Sequence, residues 1–174
     1  MDITIDTSAL LAVCTNEAQK TRMVELTAGA RLLAPVSVHS EMGNALSAIL
    51  KRERITLAQA LACLAAYQQI PVRWLEVDLP KALTLAHQLN LYAYDAYLLA
   101  CAQATRSHLL TLDKALIRAA REVGVQTLEV YVGRFILTPK RGSNWLPSST
   151  VLSKMGKSKS PTAMVVLLCC SPKL

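Results

Sequence analysis

Apolar and polar positions along this chain switch repeatedly between a two-residue and a 3.6-residue period. Ile3 and Ile5 share one face of a short β-branched run that stops at Asp6, and Thr7-Ser8 then lead into the apolar helical stretch Ala9–Val13. Glu17–Ala28 has helical spacing with Gly29 as its stop, and Arg31–Ala34 reads as a strand ended by Pro35. From Val38 to Lys51, apolar side chains recur at 38, 42, 45, 46, 49 and 50, the pattern of a core-facing helix. A second, Ala/Leu-rich helix at Leu57–Gln69 completes an αα-hairpin that turns near Arg54-Ile55-Thr56. Pro71–Leu75 is the next strand, and a helix begins at Pro80 and runs through Leu89. Tyr92–Ala102 is a helix apolar on nearly every side, the mark of a buried element, with Asp95 in its first turn. His108–Leu112 is a strand, Lys114–Val123 a helix stopped by Gly124, and Val125–Val130 a last strand. The alternation predicts an α/β domain with a parallel sheet of four to five strands and helices on both faces.

The 174 residues are 52% hydrophobic and 18% charged, which suits a well-buried core and excludes a disordered chain. The net charge of +7 suggests a nucleic-acid binder until it is located. Residues 1–130 hold 12 Lys/Arg against 12 Asp/Glu, and residues 131–174 hold the other seven basic residues and no acid. The basic character therefore belongs to the tail. That tail is punctuated by Gly133, Pro139, Gly142, Pro147, Gly156, Pro161 and Pro172 and carries a Lys-rich stretch from Lys154 to Lys159, a composition ill suited to a core. We expect a domain over 1–130 and an irregular, mostly disordered tail over 131–174. Five cysteines without a CxxC pair, three of them in apolar helical stretches, predict a reducing, cytoplasmic setting. Asp2 and Asp6 interrupt any leader-like opening, and the longest tail run, Ala163 to Cys170, is far short of the roughly 20 residues that span a bilayer.

Four acids stand apart by position. Asp6 and Asp113 each follow a strand, Glu41 lies in the first turn of a core helix with Asn44 three residues on, and Asp95 opens the most apolar helix. Each has an ordinary reading as a helix cap or a dipole partner. Jointly they have another, because a parallel sheet gathers strand ends and helix starts at one edge, and a like-charged cluster there persists where a divalent cation neutralises it. Oxygen ligands without His or Cys select Mg²⁺ or Mn²⁺, ions that activate water for phosphodiester hydrolysis. Tyr92, Tyr94 and Tyr97 offer stacking on RNA bases, against the commoner core or dimer-interface role at this spacing.

The runs Asp6-Thr7-Ser8-Ala9-Leu10, Ser40-Glu41-Met42-Gly43-Asn44-Ala45-Leu46, Tyr94-Asp95-Ala96-Tyr97-Leu98-Leu99-Ala100 and Thr111-Leu112-Asp113 together resemble PIN-domain ribonucleases, most closely the VapC-type toxins of toxin–antitoxin pairs. The resemblance covers residues 1–130 and implies a Rossmann-like PIN fold, Mg²⁺- or Mn²⁺-dependent endoribonuclease activity on RNA, inhibition by a small antitoxin, and a homodimer. It also implies that Asp6, Glu41, Asp95 and the more variable Asp113 hold the metal. Thr7 or Ser8 matches the hydroxyl near it, and Asn44 a polar companion of the second acid. The tail departs from the family pattern. Two other readings are a PIN-like RNA-binding or regulatory module without catalysis and a haloacid-dehalogenase-type phosphatase, which lacks the second Asp expected two residues after Asp6.

Overall fold

The computed structural model describes residues 1–130. The expectation of a disordered tail falls on residues 131–174, outside the described residues. Eleven elements follow one another: β1 (Asp2–Ile5), α1 (Thr7–Cys14), α2 (Lys20–Thr27), β2 (Arg31–Pro35), α3 (Ser37–Lys51), α4 (Leu57–Gln68), β3 (Val72–Leu75), α5 (Leu79–Leu89), α6 (Ala93–Thr105), β4 (His108–Leu110) and α7 (Lys114–Glu122). The strands form one parallel sheet in the order β3-β2-β1-β4. From β1 the chain steps outward through β2 and β3, then returns to the other side of β1 as β4. The order therefore reverses between β1 and β4, where a parallel sheet opens a crevice beyond its strand ends.

α6 carries the core as its composition predicted. Ala96 and Leu98 through Ala102 are buried, and the helix packs on β1, β2 and β4 with α5 against it. α1 packs against α2, α3 and α4. Local chemistry sets the boundaries. Thr56 and Gln59 make a reciprocal capping box at the start of α4, Asp78 caps α5 by accepting from the Lys81 amide, and Asn90 and Arg106 end α5 and α6 in the left-handed conformation.

The strand expected over His108–Leu112 ends at Leu110, and two further elements differ from the reading of the sequence. The helix expected from Glu17 starts at Lys20, because Asn16 takes a left-handed turn (φ 58°) after α1. Val125–Val130 forms no full strand. Thr127 makes a single parallel bridge to Leu109, flanked by Leu109 N donating to Gln126 O and Leu128 N donating to Leu109 O. Beyond that point Glu129 turns to Arg121 on α7, 3.1 Å away, and no further ladder bonds to β4 follow among the described residues.

Candidate active site

Parallel register brings the first and last of the four acids together. Ile5 pairs with Leu110, and the Asp6 amide donates to Leu110 O at 3.0 Å, so Asp6 stands beside Thr111, two residues before Asp113. Asp6 is 7% exposed and occupies the cap position of α1, yet its side chain makes no bond to the helix backbone. Instead Ser8 Oγ and Thr111 Oγ1, the latter at 2.6 Å, both donate to Asp6 Oδ2. Each hydroxyl has one proton, so their remaining bonds are accepted ones: Leu112 N donates to Ser8 Oγ and Asp113 N to Thr111 Oγ1, both at 3.0 Å. The cap reading of Asp6 is thereby replaced by a carboxylate gripped on one oxygen, with Oδ1 left for other work.

Glu41 reaches the same edge from α3. It is not in the first turn, as a helix starting at Val38 would have it, but is the fifth residue, because α3 begins at Ser37. Thr7 Oγ1 donates to Oε2 at 3.1 Å and Ser37 Oγ to Oε1 at 3.2 Å. Burial pushes the Glu41 carboxyl above its ordinary value, the Thr7 and Ser37 hydroxyls pull it back, and Asp6 and Asp95 add repulsion. Asp95, half-buried in the first turn of α6, is raised too, by burial first and then by Asp113 and Asp6. Glu41 and Asp95 therefore both lie within reach of the Asp6 charge. Asp113 is the exception in role: it is exposed, and its Oδ1 accepts from Ala115 N at 2.6 Å and Leu116 N at 3.3 Å, so it does cap α7. Asn44 lies exposed one turn beyond Glu41. Among the described residues, no three carboxylate, imidazole or thiol groups stand close enough to enclose an ion by themselves.

Two contributors were not singled out from the sequence. Thr111 is 2% exposed and bridges Asp6 to the Asp113 amide. Its signal is a hydroxyl at a strand end, two residues before an acid. Ser37 could have been found from its spacing of four before Glu41 on one helix. The tyrosines divide differently from their core reading: Tyr92 is 87% and Tyr94 46% exposed, and Tyr94 meets Tyr97 edge-on with centroids 5.9 Å apart.

The sequence profile of the PIN domain family matches residues 3–122. This chain belongs to the PIN-domain family. Among solved structures, it is similar to PAE2754 from Pyrobaculum aerophilum at 25% identity and a TM-score of 0.56, over 68% of this chain and 79% of that one. It also shares its fold with VapBC2 from Rickettsia felis, solved bound to a DNA fragment from their promoter, at 16% identity and a TM-score of 0.53, over 74% of this chain and 98% of that one. No curated protein matches it. The acids of this PIN domain stand at the carboxyl ends of β1 and β4 and at the early turns of α3 and α6, the edge where the strand order reverses. Among its described residues no helix is long and apolar enough to cross a membrane.

Proposed function

We propose that this PIN domain is an Mg²⁺- or Mn²⁺-dependent endoribonuclease, the toxin of a cytoplasmic toxin–antitoxin pair. The observation that carries the reading is Asp6: a buried carboxylate at the strand-order reversal, released from helix capping and held by two hydroxyls among three other acids. The donor set is all oxygen, which fits a hard divalent cation better than zinc. Asp6, Glu41 and Asp95 would hold the ion, with Asp113 at the rim. Such an ion, when bound, activates water and neutralises charge on the phosphoryl group. The chain's own part is orientation: Ser8 and Thr111 aim Asp6, Thr7 and Ser37 aim Glu41, and α6 presents Asp95 from its first turn. RNA is the substrate of this reading and a small antitoxin its partner, the latter supported by the shared fold with VapBC2.

A homodimer belongs to the same proposal. α5 and α6 expose an apolar groove of about 510 Å³ lined by Leu79, Pro80, Leu83, Ala86, Ala93 and Tyr97, with Leu83 itself 73% exposed. A protruding side chain beside a groove on one surface suits a two-fold interface. Sedimentation of wild type as a dimer and of Leu83→Glu as a monomer is expected; a wild-type monomer at micromolar concentration refutes it.

The test of activity is incubation with a mixed RNA pool in Mg²⁺, Mn²⁺ or EDTA, beside Asp6→Asn. Cleavage that needs metal and disappears in Asp6→Asn is expected, and undiminished cleavage by Asp6→Asn overturns the assignment. That no three such metal donors cluster among the described residues favours a second reading, a non-catalytic RNA-binding or regulatory module. Metal-induced stabilisation without cleavage selects it.

A further inference from the structure

Two tyrosines are left in solvent at the start of α6, beside an acid of the candidate site. Tyr92 occupies the cap position and is 87% exposed, Tyr94 is 46% exposed, and Asp95 follows directly. Tyr92 and Asp95, three apart, share one flank of the helix start. Neither exposed ring lines the apolar groove between α5 and α6, and the Tyr92 side chain makes no capping bond. The path of α6 carries that flank to the acid edge. The helix ends at the amino end of β4, where His108 pairs with Ile3, and Cys101 Sγ lies 3.7 Å from Thr4 Oγ1, so α6 crosses β1 running against it. From this contact Asp95 is six residues back along the helix, about 9 Å, and Asp6 two residues on along the strand, about 7 Å. Both arrive beyond the carboxyl end of β1. α7 starts at the same edge after β4, with Asp113 as its cap. Its first residue, Lys114, and Arg118 one turn on are exposed, and neither belongs to an ion pair among the described residues, whereas Arg121 is tied to Glu129.

We propose, resting on the endoribonuclease reading of this edge, that Tyr92 and Tyr94 are substrate-positioning residues that stack unpaired bases of the RNA, while Lys114 and Arg118 hold its phosphates on the α7 side of the acids. A base face offers the flat apolar contact that a ring left in water lacks, and such stacking is tolerant of sequence. The cations supply what the acids cannot: the carboxylates repel the strand, and an ion bound among them neutralises charge only where the phosphodiester is cut. A duplex keeps its base faces inside its own stack, so the rings favour an unpaired segment over a helix. Bases turned to α6 and phosphates turned to α7 fix the orientation of the strand across Asp6.

The experiment irradiates the full chain with an oligoribonucleotide carrying 5-iodouridine, in Mg²⁺ and in EDTA, and maps the adducts by peptide mass spectrometry. Adducts at Tyr92 and Tyr94 are expected, suppressed by an unlabelled single strand and spared by the same strand paired to its complement. At sub-saturating RNA, Tyr92→Leu should lower the yield at Tyr94 about five- to tenfold, and Tyr92→Phe, which keeps the ring, should restore it. Replacing both Lys114 and Arg118 by Gln should make the occupancy read from that adduct fall less steeply with salt, the logarithmic slope changing by about 1.4 for two contacts on a single strand. Adducts confined to residues 131–174, a duplex that competes as well as the single strand, an unchanged yield in Tyr92→Leu or an unchanged salt slope overturns the proposal. The adduct is read whether or not the RNA is cut. Adducts at these rings without cleavage remove the nuclease reading alone, and cleavage with adducts elsewhere removes this positioning alone.

Discussion

Replacing Thr111 by Val removes one hydroxyl and almost nothing else, which makes it a direct measure of how Asp6 is held. Thr111 is 2% exposed, and its Oγ1 donates to Asp6 Oδ2 at 2.6 Å while accepting from Asp113 N at 3.0 Å. A hydrogen bond to a charged group contributes about 1.5–3 kcal/mol, and a buried amide left without its acceptor costs about 1–3 kcal/mol. The Asp113 amide is only part-buried, so water recovers some of the second loss, and about 2–4 kcal/mol is expected in all. For a domain of this size each kcal/mol lowers the melting midpoint by roughly 3–5 °C. Thermal unfolding in EDTA should therefore place Thr111→Val roughly 6–20 °C below wild type. Thr111→Ser, which keeps the hydroxyl, should fall much less. Because Ser8 Oγ donates to the same Oδ2, Ser8→Ala and Thr111→Val should be non-additive. A loss below about 0.5 kcal/mol in Thr111→Val, or an equal loss in Thr111→Ser, refutes the claim that this hydroxyl holds the carboxylate.

The raised carboxyls set the remaining expectations. Asp95→Asn should raise the melting midpoint in EDTA at neutral pH while abolishing cleavage, because it removes a partly desolvated charge repelled by Asp113 and Asp6; a lower midpoint contradicts that. With folded pKa values above the unfolded ones, Glu41 and Asp95 bind more protons in the folded state. Their contribution to stability is thus fully present below the ordinary carboxylate range and is lost as pH rises through the raised values. Differential scanning calorimetry in EDTA should show Asp95→Asn lacking part of that pH dependence. Stabilisation by Mn²⁺ should run the opposite way, fading as the pH falls through the raised values and these ligands protonate; a metal effect unchanged down to the ordinary carboxylate range contradicts the assignment. Tyr67, its phenol pushed up to about 12 chiefly by burial, shares a 2.8 Å hydrogen bond with His39 Nδ1. Tyr67→Phe should cost about 0.5–1.5 kcal/mol in denaturant unfolding, and a neutral result would show that the bond contributes nothing net.

Much of the fold was legible because its signals are local. The Ile3/Ile5 alternation, the heptad-like recurrence from Val38 to Leu50, the all-round apolar α6 and the Thr56/Gln59 box are set by a few neighbouring residues, and the helices and strands they predict are present. The four acids could be picked out for the same reason, since each follows or opens an element visible in the pattern. The choice between cap and site was not local. Asp6 and Asp113 both occupy the cap position of a helix, yet the Asp113 side chain caps its helix and that of Asp6 does not. That difference depends on the pairing of Ile5 with Leu110, which sets Thr111 beside Asp6 across more than a hundred residues of chain. The register also reduced Val125–Val130 to one bridge. Sequence by itself determined the elements and the candidate chemistry, because periodicity and capping act over one or two turns. Tertiary structure decided which hydroxyl meets which carboxylate, because those partners are selected by strand order and register, which no short window of residues contains.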